Sequence, residues 1–395
     1  MTPWPPTLRP IHALLPLGLL LGACSEGPSQ PAGDPPPQTV VLLATPKIIS
    51  DFSQPDDDIA SFLDHYAPLT TPAAKTIVIF GVGNSEHILQ YRGPAHWDEG
   101  VEWARHIGFR EPGTEISDQP LDYHQVARIV ELFRSLGTEA GLNIKVYDFI
   151  DQGREFAYTN FKDNRHPECL DRNFEDAFNI RVPMRGDSFQ YASAPNGIPE
   201  GTLCGHFLVD QVGHYVRDLG FDGILYKNQL GTRGHWLPGH GPGYSQEEAD
   251  AIDTFLAYSR EVLGQRELMW FDSYNNVQEE RDTWSFPSTG YAYFDYLIAS
   301  GFCVITNTQR YIDNLESKLE LRDQVQILAT LDYVDPWYDY NSMVEFADES
   351  RRLEDVAIQY RSRIDGVMLF ANDEVGGLVP RHLLESFSHR FYLEG

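Results

Sequence analysis

Short apolar runs rich in β-branched and aromatic residues alternate with amphipathic segments, and this alternation constrains the fold more than any other feature. Such runs are typical of strands that are covered on both faces. They occur at residues 76–80, 144–147, 221–226, 267–271, 302–305, 325–329 and 364–370, with Thr39–Ala44 as a candidate eighth strand. Amphipathic helices are predicted between them, at residues 123–136, 208–219, 245–263, 291–299 and 350–360.

Strands in strict alternation with helices form successive right-handed βαβ units. Eight such units close into a barrel, so we predict an α/β protein with one large (β/α)8 TIM-barrel domain at residues 39–395. An open, doubly wound sheet is the alternative. The segment at about 151–204 is long for a connection inside a compact domain, and we interpret it as an elaborated βα loop over the active face.

The first residues have the layout of a secretory signal. A start containing Arg9 precedes an apolar run at residues 13–21, which is shorter than the roughly 20 residues needed to span a bilayer. The exit at residues 21–24, LGAC, resembles the lipobox of bacterial lipoproteins. The resemblance implies a signal peptide at residues 1–23 and a lipid-modified Cys24 that anchors the protein to a membrane. An ordinary signal peptide with an incidental cysteine is the alternative.

Residues 24–38 are rich in proline and are predicted to form a tether between the anchor and the folded domain. By resemblance to the sorting of lipoproteins in Gram-negative bacteria, Ser25 favours the outer membrane as the location.

Cys169 and Cys204 bracket a polar segment, and a disulfide between them is chemically allowed outside the cytoplasm. The sequence leaves both the bridged and the free forms open.

The charge of the chain excludes some classes of partner. Fifty-eight acidic residues face 30 basic ones, which gives a formal net charge of −28. Such a field repels nucleic acid and anionic lipid headgroups, so the lipid at Cys24 is the only membrane contact expected. No phosphate loop, dinucleotide fingerprint or zinc spacing occurs in the sequence, and we predict a monomer without cofactor or metal.

Polar residues follow most of the predicted strands, at the edge where barrel enzymes carry their active sites. Carboxylates beside aromatic rings suit a sugar. A glycosidase needs one carboxyl as acid and another as nucleophile or base, and aromatic rings can stack on the sugar. Asp272 is the first candidate, Asp332 the second, and Asp148 or Asp151 the third. Each of these residues, taken singly, could instead cap a helix or a turn.

Two segments resemble the barrels of chitinases and endo-β-N-acetylglucosaminidases: residues 221–226, FDGILY, and residues 270–273, WFDS. The resemblance implies a (β/α)8 fold and a sugar as substrate. In those families a catalytic Glu stands six residues after the glycine, where this chain has Gln229, and the assisting residue corresponds to Lys227. We therefore retain the fold and the sugar-directed class without the N-acetylhexosamine mechanism. Gln229 also motivates the main alternative, a glycan-binding lipoprotein without catalysis.

Further side chains near the strand ends are predicted to bind the carbohydrate by stacking or hydrogen bonding. They are Asn228, Gln229, Arg233, His235, Trp236, Trp270, Tyr274, Asn307 and Trp337.

The triplet Gly186-Asp187-Ser188 resembles the nucleophile motif of Gly-Asp-Ser esterases, but it lies mid-chain rather than after the first strand. An esterase is therefore the less favoured reading.

Overall fold

The computed structural model describes residues 38–44, 46–71, 74–81, 88–89, 91–99, 122–151, 166–169, 180–227, 243–271, 275–300, 308–333, 343–370 and 379–393. These residues belong to one compact unit, Pro36–Gly395. The predicted signal peptide, Cys24 and most of the tether lie outside the described residues. None of the helices described is long and apolar enough to span a membrane.

Eight parallel strands form a closed barrel in which each strand pairs with the next and β8 pairs with β1. The strands are β1 (Thr39–Ala44), β2 (Lys75–Phe80), β3 (Asn143–Asp151), β4 (Gly223–Lys227), β5 (Glu267–Phe271), β6 (Tyr296–Ala299), β7 (Gln326–Asp332) and β8 (Gly366–Phe370). Closure confirms the predicted (β/α)8 TIM barrel and excludes the open, doubly wound sheet.

An α-helix follows each strand in the described part of the chain. The helices are α1 (Asp56–His65), α2 (Tyr123–Glu139), α3 (Cys204–Asp218), α4 (Gln246–Leu263), α5 (Val277–Trp284), α6 (Thr308–Leu319), α7 (Met343–Tyr360) and α8 (Arg381–Ser388). Capping determines where several of them begin. Asp122 forms a capping box with Gln125 at the start of α2, and the side chain of Ser245 accepts from the N–H of Glu248 at the start of α4.

The sixth strand lies earlier in the chain than predicted. Residues 291–299 were expected to be helical, but Gly290–Tyr293 form a 3-10 turn and Tyr296–Ala299 form β6. The run from 291 to 299 is apolar at almost every position, so its pattern does not distinguish a helical period from a strand. Asp295 decides the outcome, because its carboxylate accepts from the N–H of Leu268 and holds the chain beside β5. Residues 302–305, the predicted strand, lie outside the described residues.

The strands separate two apolar layers. Their inward side chains fill the barrel, and these are Val41, Ile77, Ile79, Tyr147, Phe149, Leu225, Met269, Phe271, Tyr296, Ile298, Leu328 and Met368. The alternate side chains of the same strands pack outward against the helices in a larger cluster. Side chains alternate in direction along a strand. If one residue belongs to the interior layer, the next faces the helices and the one after that faces the interior again.

A repeated pairing stabilises the amino-terminal ends of three strands, β4, β6 and β8. An aspartate at residue 222, 295 or 365 precedes β4, β6 or β8, accepts from a backbone N–H of the preceding strand, and pairs with an arginine. The glycine that follows two of them is required by space, since a Cβ on Gly366 would lie 1.9 Å from the carbonyl oxygen of Thr39. The pair Asp222-Gly223, part of the segment that resembles chitinases, thus has a structural role here. It lies at the amino-terminal edge of the barrel, opposite the edge where the strands have their carboxyl ends.

Candidate functional site

The carboxyl ends of three strands bring charged residues to one edge of the barrel. Asp151 ends β3 and pairs in register with Lys227, which ends β4, while Asp332 ends β7. Phe149 and Leu328, on the same strands, belong to the interior layer. Because side chains alternate along a strand, positions 151 and 332 belong to the interior rows at the edge where barrel enzymes carry their sites. The side chains of the three charged residues lie outside the described part of the structure.

Asp148, predicted to be catalytic, lies in the opposite layer of β3. Its carboxylate is fully buried and accepts from the N–H of Phe149. Burial raises the pKa of Tyr215 on α3 well above its usual value, and the nearby charge of Asp148 raises it further. Tyr215 packs in the layer between strands and helices. Asp148 therefore does not face the mouth of the barrel, and Asp151, three positions further on and in the interior row, replaces it as the candidate from β3.

Trp270 also faces outward from the barrel. Its side chain is 1% exposed, and its ring stacks on Phe286 and Phe294 at centroid distances of 4.4 and 5.5 Å. This aromatic cluster joins β5 to the helical layer, so Trp270 is not available to stack on a sugar at the barrel mouth. We leave it out of the proposed site. Asp272 was the first candidate because the sequence places it between two aromatic residues, Trp270 and Tyr274, and the burial of Trp270 removes one of them from the site.

Most other predicted site residues lie outside the part of the chain that the structure describes. They are Cys24, Asn228, Gln229, Arg233, His235, Trp236, Asp272, Tyr274, Asn307 and Trp337. Their assignments remain predictions from the sequence.

The carboxyl end of β7 is fixed by a buried polar chain that the sequence did not indicate. Tyr333, directly after Asp332, donates from its hydroxyl to Glu354 on α7 at 3.0 Å. Arg390 donates to the other oxygen of Glu354 at 3.0 Å. Burial raises the pKa of Tyr333 well above its usual value, and the adjacent Glu354 raises it further, so the phenol remains a donor. These contacts tie the backbone beside Asp332 to the helical layer.

The described part of the β3–α3 connection is held by a disulfide and a histidine. Cys169 is bonded to Cys204, the first residue of α3, which answers the question that the sequence left open. His166 is 1% exposed, and its two ring nitrogens lie 2.8 Å from Glu168 and 3.1 Å from Asp187. Asp187 is the aspartate of the Gly-Asp-Ser triplet, and its carboxylate contacts the buried ring of His166. The connection lies at the carboxyl edge of β3, as predicted for an elaborated loop.

Replacing both Cys169 and Cys204 with Ser is expected to lower the free energy of unfolding by about 3–4 kcal/mol, because the bridge closes a long loop in the unfolded chain. Their sequence separation is 35 residues. Denaturant titration of the oxidised protein and the double variant measures the difference, with reduced wild type as the control. Equal stabilities of the three samples would show that the bridge contributes nothing.

The contacts of His166 with Glu168 and Asp187, called here the histidine clasp, also predict a dependence of stability on pH. Burial alone would raise the pKa of Glu168, but hydrogen bonds from His166 and Arg185 outweigh it and hold the pKa at about 2, against an ordinary 4.5. A lowered folded-state pKa stabilises the protein above the unfolded-state value, and this contribution is lost as the pH falls from about 4.5 towards 2. The melting temperature of wild type should therefore drop more steeply over this range than that of Glu168→Gln. Parallel curves for the two proteins would contradict the clasp.

A buried group of polar residues lies between the ends of β5 and β6 and helices α5 and α6. Lys318 is fully buried and donates from Nζ to the carbonyl oxygen of Asn275, to Glu280 and to Asn314, each at 2.9 Å. Tyr291 donates to the second oxygen of Glu280 at 2.6 Å. The sequence signal for this group was weak, because Lys318 appears in it as one cation of an amphipathic helix.

No protein-family model matches the sequence, and no curated protein sequence does. Solved structures that resemble the chain include glycoside hydrolases of several kinds. An α-galactosidase from Thermus thermophilus in complex with stachyose is 14% identical with a TM-score of 0.43; the alignment covers 89% of this chain and only 64% of that one.

A chitinase from Bacteroides thetaiotaomicron is 10% identical with a TM-score of 0.43, covering 91% of this chain and 98% of that one. A broad specificity endoglucanase from an uncultured bacterium is 8% identical with a TM-score of 0.44, covering 89% and 94%. Similarity at this level carries no argument about activity, and the barrel assignment rests on the closed sheet itself.

Proposed function

We propose that the protein is a glycoside hydrolase that cleaves a glycosidic bond in an oligosaccharide or polysaccharide with a pair of carboxyl groups. One observation carries the proposal: Asp151 and Asp332 both end interior rows of strands at the carboxyl edge of the barrel. Glycosidic cleavage needs two carboxyl groups that approach the bond from different sides, and two strands of one barrel mouth can supply them.

Asp151 and Asp332 are assigned together as the acid and the nucleophile or base. Lys227 ends β4 in register with Asp151, so the same edge also carries a cation. Asp272, which follows β5 and lies outside the described residues, remains a candidate from the sequence for either role.

We further propose that Cys24 is lipid-modified and holds the barrel at the cell envelope, in the outer membrane, where it acts on a carbohydrate as a monomer. The disulfide between Cys169 and Cys204 supports an exported protein, because such bonds persist in oxidising compartments and are rare in the cytosol.

Incubation of the purified protein with bacterial, plant and host polysaccharides tests the proposal, with reducing ends and bound glycan measured on the same samples. We expect release of reducing ends from at least one polymer. Gln229, at the position of the catalytic Glu in chitinase-like barrels, favours the second candidate function, a glycan-binding protein. Binding without release at high protein concentration and long times would establish that second function and reject the hydrolase.

A further inference from the structure

Asn275 carries a side-chain amide that no other described residue satisfies. The residue is 5% exposed, and its Nδ2 is buried without a hydrogen-bond partner in the described part of the chain. A buried donor without an acceptor lowers stability, so proteins contain few of them and most have a specific cause. At a site that binds a ligand, the missing acceptor belongs to the ligand.

Asn275 lies where a barrel enzyme binds its substrate. It follows Phe271, the last residue of β5, by four positions, and it directly precedes Asn276, which caps the amino terminus of α5. This is the carboxyl edge of the barrel, the same edge at which Asp151 and Asp332 end their strands. The unsatisfied amide and the proposed acid and base therefore belong to one face of the protein.

The backbone of Asn275 is held in place by a buried ion pair. Lys318 contacts its carbonyl oxygen, and Glu280 neutralises the lysine at 2.9 Å with side-chain exposures of 0% and 2%. Removing two charges from water is costly, and a buried pair is weak evidence for stability alone. Here the pair fixes a backbone carbonyl one residue before the helix cap, which restricts where the side chain of Asn275 can stand.

A second asparagine on the same lysine provides the comparison. Asn314 accepts from Lys318 through Oδ1 and donates from Nδ2 to the carbonyl oxygen of Ser300 at 3.3 Å. It is 1% exposed. Two asparagines thus contact one buried ammonium group, and the described residues satisfy the amide of Asn314 but not that of Asn275.

We propose that Asn275 is a substrate-binding residue whose Nδ2 donates a hydrogen bond to an oxygen of the bound carbohydrate, and that Lys318 and Glu280 are its positioning residues. This inference rests on the proposed function and adds a binding contact at the β5 edge. An amide donor suits a sugar hydroxyl, ring oxygen or glycosidic oxygen, since each can accept.

Asn275→Ala and Asn314→Ala form the matched test, with kinetics on the released sugar and thermal unfolding measured for both. Asn275→Ala should raise KM about tenfold, with kcat little changed, because a donor to the bound sugar is lost. Its Tm should equal or exceed that of wild type, because the variant removes an unsatisfied buried group. Asn314→Ala should lower Tm and leave KM as in wild type. Asn275→Asp, which retains the shape and removes the donor, should raise KM as well.

The positioning role is tested by Lys318→Met alone and together with Glu280→Gln. The single variant should lower Tm by about 5–10 °C, because Glu280 keeps a buried charge without its partner. The double variant should recover most of that loss, yet KM should remain raised because the carbonyl of Asn275 is no longer held. A double variant with wild-type KM would remove Lys318 and Glu280 from the positioning role.

The outcomes separate this inference from the proposed function. Cleavage by wild type together with a wild-type KM for Asn275→Ala overturns the inference alone, as does a fall in Tm for that variant equal to that of Asn314→Ala. If wild type binds glycans without cleaving them, retardation of each variant in gels containing the bound polysaccharide replaces KM. The inference then stands or falls on retardation of Asn275→Ala. Failure of wild type to bind or cleave any polysaccharide overturns both.

Discussion

Replacing Asp151 with Asn is expected to lower turnover about 10²–10⁴-fold, whereas Asp148→Asn should leave turnover close to wild type. The two residues lie three positions apart on β3 and belong to opposite layers of the barrel wall. An amide cannot act as base or nucleophile in place of a carboxylate, so the loss follows if Asp151 takes part in the reaction. Asn at position 148 can still accept from the N–H of Phe149, as the carboxylate does.

Initial rates of reducing-end release, at saturating and at low substrate, measure this pair of variants. Circular dichroism and Tm of each variant show whether a lost rate reflects lost folding. The reverse order, with Asp148→Asn inactive and Asp151→Asn active while both are folded, would show that the catalytic residue of β3 faces the helical layer. It would also overturn the assignment of Asp151 to the interior of the barrel and of Asp148 to the helical layer.

Trp270→Ala is expected to lower the free energy of unfolding by about 3–5 kcal/mol, because it removes a large buried ring from a stacked cluster. The ring packs on Phe286 and Phe294, and it lies 6.2 Å from Tyr291. Trp270→Phe keeps an aromatic ring in the same layer and should cost markedly less. Any change in KM should be small for both variants, since the ring does not face the mouth of the barrel.

Urea unfolding of the two variants beside wild type gives the free energies, and steady-state kinetics gives KM. A Trp270→Ala protein with wild-type stability and a strongly raised KM would restore the original prediction that this ring binds sugar. It would also require β5 to face the opposite way at this position.

Much of the fold could be predicted from the sequence because buried strands of a barrel are short and apolar on both faces. Among the strands the exception was β6, where the apolar run at 291–299 fits a helix as well as a strand. There the choice depends on Asp295 bonding to the backbone of β5, a contact between segments 27 residues apart that no local pattern contains.

The candidate site was harder to predict, because its residues are selected by the direction of each side chain. Asp148 and Asp151 look alike in the sequence, and only the alternation of β3 within a closed barrel separates them. Trp270 was placed at the sugar because aromatic residues at strand ends suit both stacking on a ligand and packing under a helix. The unsatisfied amide of Asn275 becomes visible only in three dimensions.

The most direct test of the proposed hydrolase is the number of reducing ends released per protein molecule by wild type and by Asp332→Asn, assayed together on one polysaccharide. We expect wild type to release many ends per molecule, rising with time, and the folded variant to release almost none. Equal release by the two proteins would contradict the proposed mechanism, because it would show that the carboxyl group at the end of β7 takes no part in cleavage.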